Sequence, residues 1–125
     1  MNDAIRAALS RGGIVDLTTT GRRTHQPRRI EIVVHAIDGR LVISGMPRRE
    51  KRAWVANIEA DPRVTIHLKR GVVADLAGTA RIVTDDHERR ELLAHVARAW
   101  GRSDLEVMVQ HSPLIEVVLD EFATA

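Results

Sequence analysis

The sequence has no cysteine, no tyrosine and a single phenylalanine among its 125 residues. Without cysteine the chain forms neither disulfides nor thiolate metal sites, and it has no cysteine nucleophile. Aromatic residues are 2% of the chain, so a stacking platform for bases is not expected and nucleic acid is not a predicted partner. No apolar run approaches the roughly 20 residues of a membrane-spanning helix.

The start of the chain shows no signal-peptide pattern, because Asp3, Arg6 and Arg11 interrupt any apolar stretch. We therefore expect a cytoplasmic protein. The length suits one domain over residues 1–125, and 44% hydrophobic with 29% charged residues is typical of a globular chain.

Several catalytic signatures are also missing from the sequence. The six histidines include no i, i+4 pair, so no metal is predicted, although His35 and His67 fall on predicted strands and are candidates to meet across a sheet. The serines lack a nucleophile-elbow motif, and there is no glycine-rich phosphate loop. These absences favour a protein that binds an anionic cofactor and lets the cofactor carry the chemistry.

The basic residues are placed unevenly, although the formal net charge is only +2. They cluster between Arg22 and Arg70, whereas most acidic residues lie from Asp85 onward. This asymmetry indicates an anionic partner for the first half of the chain.

Alternating and helical hydrophobic patterns predict a chain of mixed strands and helices. Asn2 is predicted to cap a helix that runs to Ser10, and Gly78 is predicted to mark a bulge or bend in a long strand. The predicted strands are 14–19, 28–37, 41–44, 63–69, 72–84 and 114–119, and the further helices are 50–60, 86–100 and 104–110. Consecutive hairpins and long strands predict an α+β, mainly β fold: a small closed or split barrel of about six antiparallel strands with three or four flanking helices.

The most informative stretch runs from Leu17 to Arg29. A β-prone run of threonines turns at Gly21, and four arginines then surround a threonine, a glutamine and a proline. Arginine forks and small hydroxyls on a loop between two strands are suited to a phosphate or a carboxylate. The alternative is a solvated basic hairpin. The four arginines are Arg22, Arg23, Arg28 and Arg29.

Four segments together resemble the deazaflavin-dependent nitroreductase family, which is similar to the FMN-binding split-barrel reductases of the pyridoxamine-phosphate-oxidase type. The segments are Leu17–Arg28, Asp38–Gly39, Ser44–Asn57 and Asp61–Val64. The resemblance covers about Leu17 to Leu119. It implies a split β-barrel whose cofactor is the reduced deazaflavin coenzyme F420, with FMN as the alternative.

The resemblance also implies where the cofactor binds. Arg22, Arg23, Thr24, Gln26, Pro27 and Arg28 match the loop that grips the phosphate and the acidic tail. Ser44, Gly45 and Met46 match the loop that runs beside the cofactor. Family members often carry a lysine there, and Arg48, Arg49 or Lys51 is expected to supply the missing cation. Trp54 and Asn57 match positions near the cofactor, although Trp54 at i, i+4 from Ile58 equally suits a helix anchor in the core.

The implied activity is hydride transfer from reduced F420 to an electron-poor small molecule such as a quinone, an activated alkene or a nitro compound. No catalytic side chain is identified, because the chain lacks tyrosine and the tyrosine that often follows the tryptophan is Val55 here. Two alternatives remain open: an FMN-binding reductase of the same fold, and a non-catalytic carrier of a cofactor or acyl ligand. A homodimer is one expected assembly.

Overall fold

Six antiparallel strands close into a barrel in the order β1-β2-β3-β6-β5-β4. This architecture is seen in a computed structural model that describes residues 2–123. The strands are β1 (Gly13–Thr20), β2 (Pro27–Ile37), β3 (Arg40–Ser44), β4 (Arg63–Leu68), β5 (Ala74–Ile82) and β6 (Leu114–Leu119). The helices are α1 (Asp3–Arg11), α2 (Ala53–Ala60), α3 (Asp86–Trp100), α4 (Leu105–His111) and α5 (Asp120–Ala123).

The strand pattern of alternate residues separates the inside of the barrel from the outside. Along β1, Val15, Leu17 and Thr19 are buried, and Ile115, Val117 and Leu119 of β6 join Val15 and Leu17 in one core cluster. Leu9 of α1 and three residues of α2 close this cluster at its two ends. We call these the α1 end and the α2 end of the barrel. The α2 residues are Trp54, Val55 and Ile58.

A second core cluster lies outside the barrel wall. Ile37, Val42 and Leu114 point away from the barrel interior and pack against Leu93 and Val96 of α3. Asp85 caps α3 by accepting a hydrogen bond from the Glu88 backbone N–H at 2.9 Å, and Gly101 ends it with φ 65°. No helix in the described part of the chain is long and apolar enough to cross a membrane.

The predicted barrel of antiparallel strands is confirmed, and most predicted elements lie within two residues of their observed bounds. The start of α2 was predicted wrongly: the helix begins at Ala53 rather than Glu50. Arg52 provides no side-chain cap, and the positive end of a helix dipole disfavours the basic residues that precede Ala53. The short α5 was not predicted.

Of the bulge or bend predicted at Gly78, the bulge is wrong. The register of β5 runs unbroken, with Gly78 opposite Val64 on one side and Leu119 on the other. A Cβ atom at Gly78 would lie 2.6 Å from the Val118 carbonyl oxygen, so glycine is needed there for a close backbone approach.

Four charged side chains tie α3 to the barrel wall. Arg40 of β3 and Arg81 of β5 both donate hydrogen bonds to Glu88 of α3 and Glu116 of β6. The Arg81 Nη1–Glu88 Oε1 distance is 3.0 Å and the Arg40 Nε–Glu116 Oε2 distance is 2.9 Å. These bonds, from Arg81 first and then from Arg40, lower the pKa of Glu88 to about 2.

We expect Glu88→Gln to lower the free energy of unfolding at pH 7 by about 1 kcal/mol, a modest value because the network is partly screened by solvent. A lowered pKa means that this stabilisation is complete above the ordinary value of 4.5 and is lost as the pH falls toward 2. Denaturant unfolding between pH 2 and 7 should therefore show a shallower pH dependence in the variant. Glu91→Gln on the same helix is the control, and an equal slope in both variants would contradict the assignment.

Candidate functional site

A cleft of about 360 Å³ opens at the α2 end of the barrel, between the β1–β2 loop and one face of α2. We call it the arginine cleft. Its walls combine four arginines with small polar and apolar side chains. The lining residues are Thr19, Gly21, Arg22, Arg23, Thr24, Arg28, Arg29, Ile30, Ala53, Trp54 and Asn57.

The β1–β2 loop that carries these arginines is a tight hydrogen-bonded turn. The Gly21 N–H donates to the Gln26 carbonyl and the His25 N–H to the Gly21 carbonyl, both at 2.8 Å. The Thr24 hydroxyl oxygen accepts from the Gln26 N–H at 3.2 Å and from Arg28 Nη2 at 3.3 Å. A Cβ atom at Gly21 would lie 2.8 Å from the Thr24 hydroxyl oxygen and 3.1 Å from the Gln26 carbonyl oxygen, so a larger residue would require the Thr24 side chain to move.

A buried amide fixes the loop to α2. Asn57 is 3% exposed, and its Oδ1 accepts from the Arg22 backbone N–H at 3.1 Å and from Arg22 Nη1 at 3.0 Å. Its Nδ2 donates to the Thr19 hydroxyl at 3.1 Å, and Thr19 is 2% exposed. Only one of these three hydrogen bonds engages the Arg22 guanidinium, through Nη1, so its other N–H groups stay available to another acceptor.

The charge in the arginine cleft is largely unpaired. Within residues 2–123, no carboxylate forms an ion pair with Arg22, Arg23 or Arg28, whereas Arg29 donates to Asp16 at 2.9 Å. The lining contains neither an acidic side chain nor a histidine. Guanidinium groups without carboxylate partners are suited to a phosphate or carboxylate from a ligand.

Trp54 lies where the barrel core meets the arginine cleft. Its side chain belongs to the barrel core with 9% exposure, and it also lines the arginine cleft. Together with Ile30 and Ala53 it gives the cleft an apolar wall beside the arginines. The cleft therefore joins a cationic region to a flat apolar one.

Three predicted ligands at the end of β3 and in the loop after it contact other parts of the protein instead of the arginine cleft. The Ser44 hydroxyl is buried and donates to the Pro113 carbonyl at 2.7 Å. Gly45 packs against Pro113 and Arg52, where a Cβ atom would lie 3.1 Å from Pro113 Cγ. Met46 is half-exposed, and its carbonyl accepts from Arg52 Nη2 at 2.6 Å. None of these three residues lines the arginine cleft.

Of the remaining four predicted ligands, two belong to the β1–β2 turn and two line a different cleft. Gln26 shapes the turn through its backbone, and Pro27 starts β2 opposite Thr20. Arg49 and Lys51 line a second cleft on the other side of α2. The structure thus brings Arg22, Arg23, Thr24, Arg28, Trp54 and Asn57 together and separates the other predicted positions from them.

Five residues that line the arginine cleft were not among the predicted cofactor ligands: Thr19, Gly21, Arg29, Ile30 and Ala53. The sequence had already assigned Gly21 and Arg29 to the basic turn. For Thr19 and Ile30 a signal was present, because strand alternation places both with the inward-facing positions of β1 and β2. Nothing in the sequence indicated that Ala53 lines the cleft, because the predicted helix began three residues too early and placed Ala53 in its interior rather than at its first position.

The histidines do not form a common site. His35 lies against Trp100 with ring centroids 5.4 Å apart, whereas His67 Nε2 is 2.7 Å from the Thr18 hydroxyl and its Nδ1 is 2.7 Å from Asp75. The suggestion that His35 and His67 meet across the sheet is therefore wrong. In the part of the chain that the structure describes, no three histidine or carboxylate side chains converge as metal ligands.

The closed six-stranded antiparallel barrel with its flanking helices is of the split-barrel type. The F420H(2)-dependent quinone reductase family model matches residues 2–121, and the chain belongs to that family. The chain is thus an oxidoreductase that uses reduced coenzyme F420 to transfer a hydride to a quinone. The predicted family resemblance, fold, enzyme class and cofactor are confirmed.

Solved structures of similar fold agree with the barrel. A conserved hypothetical protein of Mycobacterium tuberculosis is 21% identical, with 96% of this chain and 81% of that chain covered and a TM-score of 0.73. An F420-H2 dependent reductase is 21% identical, with 84% and 93% covered and a TM-score of 0.60. A pyridoxamine 5'-phosphate oxidase-like protein of Listeria innocua is 14% identical, with 94% and 92% covered and a TM-score of 0.69.

We expect Thr19→Val to lower the free energy of unfolding by about 1–3 kcal/mol, because it leaves the buried Asn57 amide donor without an acceptor. Thr19→Ser keeps the hydroxyl and should lose clearly less. Denaturant unfolding of both variants checks the prediction. A loss in Thr19→Ser as large as that in Thr19→Val would contradict a dominant contribution of the hydroxyl hydrogen bond.

Proposed function

We propose that the arginine cleft is the site where this reductase holds coenzyme F420. The observation that carries the proposal is the unpaired charge: Arg22, Arg23 and Arg28 face the cleft with no carboxylate partner among the described residues. The phosphodiester and carboxylates of the coenzyme tail are acceptors that such guanidinium groups bind, each charge-assisted hydrogen bond contributing about 1.5–3 kcal/mol. The donor set therefore fits this cofactor.

In the proposed binding mode, the two parts of the cofactor contact different sides of the arginine cleft. The arginines and the Thr24 hydroxyl hold the anionic tail, and Trp54 with Ile30 and Ala53 faces the flat ring. Asn57 connects the two regions, since its side chain binds Arg22 and it lies one helical turn after Trp54. The protein's part in the reaction is to bind, orient and shield the reacting groups.

When bound, reduced F420 supplies the hydride for the reaction. The described lining of the arginine cleft offers no acid and no histidine, and the chain has no tyrosine. We therefore propose that the proton needed to complete a quinol comes from water. The nearby guanidinium groups stabilise the negative charge that a quinone gains on accepting a hydride. Activated alkenes and nitro compounds stay predictions as further acceptors.

Titration of the apoprotein with F420 and with FMN, followed by fluorescence at two salt concentrations, tests the site. We expect tight F420 binding that weakens with salt, because ion pairs with exposed groups are screened. Arg22→Gln should weaken F420 binding by about tenfold or more, which corresponds to one charge-assisted hydrogen bond. Arg70→Gln, an exposed arginine at the α1 end, should leave binding unchanged.

Each other outcome of this titration has a clear meaning. A preference for FMN would keep the fold and contradict the cofactor assignment. Binding of neither molecule would favour a carrier without turnover, with the arginines as a solvated surface. Equal losses in Arg22→Gln and Arg70→Gln would contradict the arginine cleft as the F420 site while leaving the family assignment in place.

The homodimer implied by the resemblance stays a prediction, as does the cytoplasmic location. One chain has a mass of 13.9 kDa. Light scattering coupled to size-exclusion chromatography should give twice that mass for the predicted homodimer. A mass near that of one chain, unchanged over a tenfold range of protein concentration, would contradict it.

A further inference from the structure

Three polar side chains on the outer face of the barrel form a cluster that is separate from the arginine cleft. They point outward, because Leu17, Ile66 and Leu76, their neighbours in the chain, belong to the barrel core. Helix α3 packs elsewhere on the barrel wall, against residues of β2, β3 and β6. The three side chains are Thr18 of β1, His67 of β4 and Asp75 of β5.

Two short hydrogen bonds connect the cluster in a fixed order. His67 Nδ1 lies 2.7 Å from Asp75 Oδ1, and His67 Nε2 lies 2.7 Å from the Thr18 hydroxyl oxygen. A carboxylate can only accept, so in the neutral imidazole Nδ1 carries the proton and donates it to Asp75. Nε2 then has the free lone pair and accepts the hydrogen bond from the Thr18 hydroxyl.

This order of groups is the one that activates a hydroxyl nucleophile. A base within hydrogen-bond reach takes the hydroxyl proton, and a third group holds the base in the correct tautomer. His67 is 9% exposed, which keeps its ring in one orientation, while the Asp75 side chain reaches solvent. Register brings the groups together, since Asp75 is directly opposite His67 and Thr18 is one pair along the β1–β4 ladder.

A groove of about 160 Å³ opens beside Thr18, where β1 and β4 separate. The ladder between these strands ends at the pair of Thr18 and Thr65. The volume is below the roughly 300–1,000 Å³ of clefts that hold drug-sized ligands, so it suits a short acyl group such as acetyl. We call it the threonine groove, and it is lined by Thr18, Thr19, Thr20, Arg63, Val64, Thr65 and Ala77.

Two further hydroxyls in the threonine groove are available as donors. Thr65 is directly opposite Thr18, and Thr20 lies two residues along β1 on the same face. Within residues 2–123 neither hydroxyl has a hydrogen-bond partner. Such donors can stabilise the oxyanion that forms when a hydroxyl adds to a carbonyl group. Arg63 is already engaged, because it donates to Asp120 at 2.8 and 2.7 Å.

We propose that Thr18 is the nucleophile of an acyl-transfer site that takes small activated esters with a short acyl group. Thr18 Oγ1 attacks the carbonyl carbon while its proton passes to His67 Nε2. The bond from that carbon to the leaving oxygen then breaks, and the leaving alkoxide takes the proton from His67. Water, deprotonated by His67 in the same way, attacks the acyl-Thr18 ester, which releases the carboxylic acid and restores the hydroxyl.

The test uses the full-length protein with p-nitrophenyl acetate, with F420 and without it. Release of p-nitrophenolate gives the rate, and intact-mass measurement after acid quenching, followed by peptide mapping, locates any acetyl group. We expect one acetyl group on Thr18 and the same rate with F420, because the arginine cleft does not include these residues. p-Nitrophenyl octanoate should react more slowly, since the threonine groove is small.

Variants of the nucleophile and the base separate catalysis from background reaction. Thr18→Val keeps the branched shape, and it should lower the rate above buffer by about a hundredfold or more, as should His67→Gln. Thr18→Ser should retain activity, and added imidazole should partly restore it in His67→Ala. Thr84→Val and His111→Gln, at exposed positions elsewhere, should leave the rate unchanged.

Asp75 is a positioning residue in this scheme, because it acts only through His67. Asp75→Asn should slow acetylation, and Asp75→Glu, which keeps a carboxylate, should retain more of the rate. The Asp75 side chain is exposed, so thermal unfolding of both variants should match the wild type.

Three results would overturn the inference. A rate in Thr18→Val equal to the wild-type rate would exclude the hydroxyl as nucleophile. Acetyl groups found only on lysines or the amino terminus would show background reaction. A rate unaffected by His67→Gln would reduce the cluster to a cross-strand structural network. None of these results depends on F420 binding, so failure here and failure of the proposed function are distinguishable.

Discussion

Burial of one face of α2 in the open end of the barrel is the constraint on which the functional geometry depends. Trp54, Val55 and Ile58 enter the barrel core, and this fixes both the height and the rotation of the helix. Burying three large apolar side chains contributes several kcal/mol, since each is worth about 1.5–3 kcal/mol. The two remaining faces of α2 are then presented to opposite sides, where the arginine cleft and the second cleft form.

The barrel was predictable because its strands and hairpins follow from short-range sequence patterns, namely alternating apolar residues and turn motifs. Apolar residues that alternate with polar ones, such as Val64, Ile66 and Leu68, indicate a half-buried strand. The Asp38–Gly39 dipeptide indicates a hairpin turn. The start of α2 was not predictable from propensity, because Lys and Arg are good helix formers in isolation. Here tertiary ties hold the preceding residues in a loop, including the Arg48 N–H donation to the His111 carbonyl at 3.2 Å.

The site was predictable in part. The loop arginines follow from charge and turn chemistry, but the link from Asn57 to Arg22 joins residues 35 positions apart and has no local signature. Ser44 shows the converse. Its hydroxyl matches a family position beside the cofactor, yet it is buried and donates to the Pro113 carbonyl. A residue type at a matching position does not determine whether its polar atom faces a ligand or the protein.

The charges along the barrel wall and those at the α2 end are organised differently. Carboxylates on neighbouring elements neutralise Arg40, Arg81 and Lys69. Among the residues that the structure describes, no carboxylate pairs with Arg22, Arg23, Arg48 or Arg49. Arginines without carboxylate partners therefore line both clefts at the α2 end of the barrel. An anionic ligand diffusing in solution is drawn toward that end and pre-oriented before contact, so ionic strength acts chiefly on the rate of its association and much less on the rate of its departure.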